Sequence, residues 1–148
     1  ALPISYQMNP SNTNVGGWRD CQMRTQTMPA LKTMLPAEVQ AGIRAVNKLT
    51  SAGNQNPSIV TTSDELFLLS EIEIFGSTTY SFAGEGLQYD YYKAGNSKVK
   101  NRAGSAYFWW ERSSFSQNTS DFCDVHRTGS AFWHGAYNRL CVAFSFCL

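Results

Sequence analysis

Apolar residues recur at helical spacing in the first third of the chain and alternate at strand spacing in the last. Trp18, Cys21, Met28, Leu31 and Leu35 fall near one helical face. Pro29 interrupts that face, because proline removes a backbone donor and crowds the preceding turn, so a kink or two short helices are expected. Pro36 suits the first position of a further helix, on which Val39, Ile43 and Val46 form an i, i+4, i+7 stripe. The polar run Asn9-Pro10-Ser11-Asn12-Thr13-Asn14 reads as a loop ending at Gly16-Gly17. Asn47–Pro57, carrying Gly53, Asn54, Asn56 and Pro57, reads as another.

Ile59-Val60-Thr61-Thr62 and Leu66-Phe67-Leu68-Leu69 then read as short buried strands. Ser70-Glu71-Ile72-Glu73 has capping-box spacing: the Ser70 hydroxyl takes the Glu73 backbone N–H and Glu73 reaches back. One helical turn ending at Gly76 follows, and the cap accounts for Glu73 without a catalytic carboxylate pair with Glu71. Residues 77–105 show no period and read as an insertion covering part of the core. Further on, Cys123 and Val125 share one strand face, as do Val142, Phe144 and Phe146, with Gly104, Gly129 and Gly135 as punctuation. Two or three N-terminal helices followed by short antiparallel strands and long loops make an α+β fold. At 148 residues the chain suits a single domain spanning 1–148, alone or as the C-terminal domain of a larger protein.

Composition narrows the function classes. Lys+Arg 12 against Asp+Glu 11 gives no phosphate-binding field. Tyr89, Tyr91 and Tyr92 do precede Lys93, Lys98, Lys100 and Arg102, but with no nucleic-acid signature beside them, so nucleic acid is not an expected partner. No apolar run approaches the roughly 18 residues of a spanning helix, and membrane insertion is not expected. Residues 1–16 are polar and do not read as a signal peptide.

Candidate chemistry is sparse. Cys21, Cys123, Cys141 and Cys147 have neither metal-pair nor dense disulfide spacing. They read as buried thiols, with one disulfide from Cys123 to Cys141 or Cys147 left open. On a strand Cys123 points away from Asp124 and His126, so the three do not form a nucleophilic triad. His126 and His134 lack further ligands, Asp121 and Asp124 lack an EF-hand loop, and Gly84-Glu85-Gly86 is a turn and not a phosphate loop. Asn118-Thr119-Ser120 matches a glycosylation sequon. No catalytic residue, metal or cofactor is expected, and the chain is not expected to be an enzyme.

Eleven of the twenty aromatic residues lie beyond residue 105, together with both histidines. Trp109, Trp110, Phe144 and Phe146 suit a core. Phe132, Trp133, His134 and Tyr137, between Gly129 and Gly135 or just beyond, suit an exposed surface. Tyr, Trp and Arg dominate binding hot spots because each joins a large contact area to a polar handle. The expected contact set is Phe108, Phe115, Asp124, His126, Arg127, Phe132, Trp133, His134, Tyr137 and Arg139.

The segments Phe67-Leu68-Leu69-Ser70-Glu71-Ile72-Glu73, Trp109-Trp110-Glu111-Arg112-Ser113 and Val142-Ala143-Phe144-Ser145-Phe146-Cys147 carry a family likeness, as does Gly16-Gly17-Trp18 with Met23-Arg24. The chain resembles a domain family of gut phages and bacteria, and through it the C-type-lectin fold in its formylglycine-generating-enzyme-like form. Ser114 stands where that pattern has Pro, and Cys141 and Ser145 where it has Gly. The resemblance extends to variable proteins of diversity-generating retroelements, in which mutated template adenines scatter Asn codons to other residues. Phe108, Asp124, His126, Arg127, Thr128, Phe132, His134, Tyr137, Arg139 and Leu140 stand where relatives tend to carry Asn, Ser or Gly, which fits such scatter; Trp133 lies outside it. The resemblance implies a receptor- or ligand-binding module with a diversified surface, on a virion or at a bacterial surface. Its partner would be a protein or glycan, on a host cell where the carrier is a phage. It also implies two alternatives. One is an oxidase using a paired-cysteine copper site, for which Cys141 and Cys147 give no clear pair. The other is a carbohydrate-binding lectin, whose usual calcium motifs are absent.

Overall fold

A computed structural model describes residues 5–148; the first four residues of the opening segment 1–16 lie outside the described residues. Strand β1 (Ser5–Tyr6) is followed by helix α1 (Gly17–Asp20), a π-helical turn (Met23–Thr27), α2 (Met28–Lys32) and α3 (Ala37–Gly42). The interruption expected near Pro29 is present: Pro29 lies in the first turn of α2, where its missing N–H costs nothing. Trp18, Cys21, Met28 and Leu31 are buried, as their spacing implied. The stripe through Val46 is corrected, because α3 stops at Gly42 and Ile43 turns to extended backbone.

Val46 instead opens β2 (Val46–Gly53), which pairs antiparallel with β3 (Asn56–Asp64). The expected loop 47–57 therefore shrinks to two residues. Asn54 and Gln55 both sit at positive φ (53° and 57°), the backbone of a tight hairpin turn whose twist matches that of its strands. Gly17 and Gly53 permit the close seating of α1 on this hairpin. An added Cβ would lie 2.4 Å from the Ser51 carbonyl oxygen at Gly17 and 1.9 Å from that of Asn14 at Gly53.

Leu66–Leu69 is buried and touches the C-terminal segment through the Phe67–Ser145 bridge. The capping box forms as expected, with both Ser70–Glu73 bonds present and Gly76 at φ 72° ending α4 (Glu71–Phe75). Residues 77–105 are largely irregular, with a short α5 (Asp90–Lys93) and strands β4 (Lys100–Arg102) and β5 (Ser105–Tyr107) paired in a small hairpin. The main sheet has five strands in the order β1, β9 (Leu140–Cys141), β6 (Trp109–Ser114), β7 (Asp121–Val125), β8 (Ala131–Gly135). All its pairings are antiparallel except β6 with β9. The fold is thus α+β, with small helices and several short strands. Among the described residues no helix is long and apolar enough to cross a membrane.

The core joins Trp18, Met23, Leu68, Ile74, Trp109, Trp110 and Phe122, all with no exposed surface. Charge is buried with them. Arg112 on β6 is wholly enclosed and donates to the carbonyls of Leu49, Leu68 and Glu85 and to both oxygens of Glu73. Lys48 reaches the same carboxylate at 2.5 Å. Burial alone would raise the Glu73 carboxyl, but the Arg112 and Lys48 bonds and charges outweigh it and hold the group below its ordinary range. Glu85 accepts from Thr50, Ser113 and the Ser51 N–H; Glu71 accepts from Ser81 and from the backbone N–H groups of Tyr80 and Ser81. These acids pin the irregular 77–86 stretch against the sheet, which is how the insertion covers the core.

Candidate functional site

Strand alternation divides the nominated residues between two faces of the sheet. In the β7–β8 register Phe122 lies opposite His134, Asp124 opposite Phe132, and Cys123 opposite Trp133. Asp124, Phe132 and His134 therefore share one face, and Trp133 takes the other. On its own face Trp133 stacks on Phe115 (5.0 Å between centroids, 3° between planes) and meets Tyr80 at 4.7 Å. Phe115 is buried, so its expected role as a contact residue is corrected: it supports Trp133 from beneath.

The opposite face carries a cluster of half-buried rings. Phe108 packs edge-on against His126 at 4.7 Å and His134 at 4.8 Å, and Phe132 lies 5.3 Å from each histidine. Edge-to-face contacts of this kind are each worth roughly 0.5–1.5 kcal/mol beyond the area they bury. Asp124 is the second correction, since it has no exposed surface and cannot meet a ligand directly. Its Oδ2 lies 2.6 Å from His134 Nδ1. Burial raises the Asp124 carboxyl above its ordinary range, and the bond and charge of His134 offset this only in part. The contact engages His134 through Nδ1, so Nε2 is the ring nitrogen left for other partners.

A groove of about 420 Å³ opens beside this cluster. Phe108, Arg127, His134 and Arg139 of the nominated set line it, with Ser105, Ala106, Tyr107, Asn138 and Leu140. Arg127, Tyr137 and Arg139 are exposed, Tyr137 by 55%, whereas His126, Phe132 and Trp133 are half-buried. Tyr107 and Asn138 were not singled out in the sequence. They belong to the groove because β5 and the turn before β9 fold toward Phe108, which no local pattern discloses.

A larger cleft of about 500 Å³ lies between the helical segment and the end of β3. Its charges are already matched: Arg24 bonds Asp64 at 2.6 Å and Lys32 bonds Glu65 at 2.7 Å. Asp64 also accepts from the Trp18 indole at 3.0 Å, which marks the cleft as a structural joint between α1 and β3.

All four cysteines are free thiols; Cys21 and Cys123 are buried as expected, but Cys141 is half-buried and Cys147 exposed, which corrects the reading of all four as buried. Burial pushes the Cys21 thiol up to about 12, and burial with nearby Glu111, Glu71, Glu85 and Asp124 pushes Cys123 well above its ordinary value, so neither forms the thiolate a nucleophile needs. Among the described residues no group of three or more His, Cys, Asp or Glu side chains is placed to hold a metal ion.

No curated protein and no solved structure matches the chain. A family description does match, over residues 4–147, so nearly the whole chain is one copy of the domain. The chain belongs to the family described as "Domain of unknown function (DUF6273)".

Proposed function

We propose that this domain is a ligand-binding module of C-type-lectin-like fold, whose recognition surface is the face of β8 bearing Phe132 and His134 and the groove beside it. The observation that carries the reading is the coincidence of three properties at one place. A concave groove, half-exposed rings and arginines without a carboxylate partner among the described residues converge there, which is how small recognition sites are built. After the two-residue β1, the helical segments α1 to α3 precede the remaining strands, an order in keeping with the family resemblance.

The same surface suits a diversified protein. Arg127, Tyr137 and Arg139 are exposed in the turns that join β7, β8 and β9, whereas β6 and β7 beneath them are almost wholly buried. Changes at such positions leave the core intact. The module would act on a virion or a bacterial surface, holding a protein or glycan partner without chemical turnover.

Particles displaying the domain, retained on glycan arrays and on bacterial cells, test the reading. Tyr107→Ala with Tyr137→Ala should abolish whatever retention the parent shows while leaving its unfolding curve in place. Equal retention by parent and variant would remove the assignment. Sequencing the gene in sibling isolates tests diversification: substitutions confined to outward codons of 108–145 support it, and uniform drift discards it.

A further inference from the structure

We infer that the groove beside β8 takes a carboxylated sugar, a uronic acid or a related acid-bearing ring; this rests on the binding reading above and narrows it. The first argument is charge. No Asp or Glu lines the groove, while Arg127 and Arg139 do, in a chain whose net charge is only +1. Among the described residues neither arginine has a carboxylate partner; Arg139 reaches only the Ser5 carbonyl, at 3.3 Å. In the cleft by the helices, by contrast, each cation already has its acid. A guanidinium fork left open matches the two oxygens of a carboxylate.

The second argument is the arrangement of donors around the rings. Tyr107 and Phe108 give apolar surface, and Arg127, His134, Asn138 and Arg139 give polar side chains about it. A sugar ring has that complementary build, with C–H faces for the aromatics and hydroxyls for the donors. His134 is fixed for this work, because buried Asp124 holds Nδ1 and leaves Nε2 unclaimed. The volume, about 420 Å³, is at the small-ligand end of the range for binding pockets, roughly 300–1,000 Å³.

The test is a titration of isotope-labelled domain with glucuronate, glucose and acetate, followed by backbone amide NMR. Glucuronate and glucose differ only in the carboxylate; acetate carries the charge without the ring. Glucuronate should shift the amides of Ser105–Phe108, His134 and Asn138–Leu140, with affinity about tenfold above either control, the value of one charge-assisted hydrogen bond. Arg127→Gln with Arg139→Gln should erase that preference and leave the rest of the spectrum unchanged. Glucose binding as well as glucuronate in the groove overturns the acid preference and leaves the binding reading standing. Acetate matching glucuronate overturns the sugar, reducing the groove to an anion site. Absence of any shift with all three overturns the inference, and shifts mapping away from the groove overturn it together with the placement of the recognition surface.

Discussion

Arg112 on β6 and Phe132 on β8 belong to one sheet with a single strand between them, yet their surroundings differ in kind. Arg112 is held by directional bonds to four residues from four separate parts of the chain, Leu49, Leu68, Glu73 and Glu85. Phe132 is held by ring contacts to Phe108, His126, Trp133 and His134, at centroid distances of 4.9–6.1 Å and with varied tilts. A hydrogen bond to a buried charge tolerates little displacement, and losing one partner strands the other. Ring packing is less directional, and a neighbour of similar size can replace it. The sheet thus carries an over-determined side that fixes the fold and a permissive edge that is free to be a binding surface.

The comparison breaks first at Arg112. Arg112→Ala leaves the Glu73 carboxylate without its main partner and three carbonyls unpaired, and should cost about 3–5 kcal/mol, enough to unfold a marginal domain. Urea unfolding of the variant measures it; a loss below about 1 kcal/mol would show that the network is dispensable. The same carboxylate gives a pH signature. The folded-state pKa of Glu73 lies below its unfolded value near 4.5, so its stabilisation is present above that value and is lost as pH falls through the folded pKa. Lys48→Met should move this acid transition to higher pH.

These contrasts also explain what was legible in the sequence. The Ser70–Glu73 cap was readable because its partners lie three residues apart. Arg112 was not, because its partners lie 27 to 63 residues away and only the folded chain brings them together. β6 conceals itself for a related reason: all six of its residues are buried, so polar Glu111, Arg112, Ser113 and Ser114 break the usual inside–outside alternation. Val46 misled through an accidental helical spacing, and Gly53-Asn54 was read as the middle of a loop when it closes a hairpin. At the edge, concentration of aromatics located the candidate surface. Its division is not visible in composition, because the split of Phe132 and His134 from Trp133 follows only once the segment is a strand, which sends the middle residue to the opposite face. The Asp124–His134 pair required the β7–β8 register, which neither strand specifies alone.

Glu111 sharpens the comparison from inside the rigid half. It is fully buried and neither carboxyl oxygen has a hydrogen-bond partner. Burial first, then the nearby charges of Glu71, Asp124 and Glu85, push its pKa well above the usual carboxylate range, against the weaker pull of Arg112. A folded pKa above the unfolded one means that stability is fully present below the unfolded value and is lost as pH rises through the folded one. Glu111→Gln removes that ionisation, so its advantage over the parent should grow by about 1.4 kcal/mol per pH unit across the window between the two pKa values. Urea midpoints at acid, neutral and alkaline pH measure the divergence. Parallel curves would mean that Glu111 is not held protonated.

The smallest effects test the permissive edge itself. Trp133→Ala removes a half-buried ring stacked on Phe115 and tilted against Tyr80, and should cost about 1–3 kcal/mol, less than a fully enclosed tryptophan would. Tyr137→Ala and Arg127→Ala remove side chains that face solvent, and should stay within about 0.5 kcal/mol of the parent. That ordering separates support from surface, since a residue that costs stability cannot report binding cleanly. A Trp133 variant that loses a ligand has an ambiguous cause, whereas a Tyr137 variant with an unchanged melting curve does not. Should Tyr137→Ala unfold the domain as readily as Trp133→Ala, the edge would be scaffold as well, and the recognition surface would have to lie elsewhere.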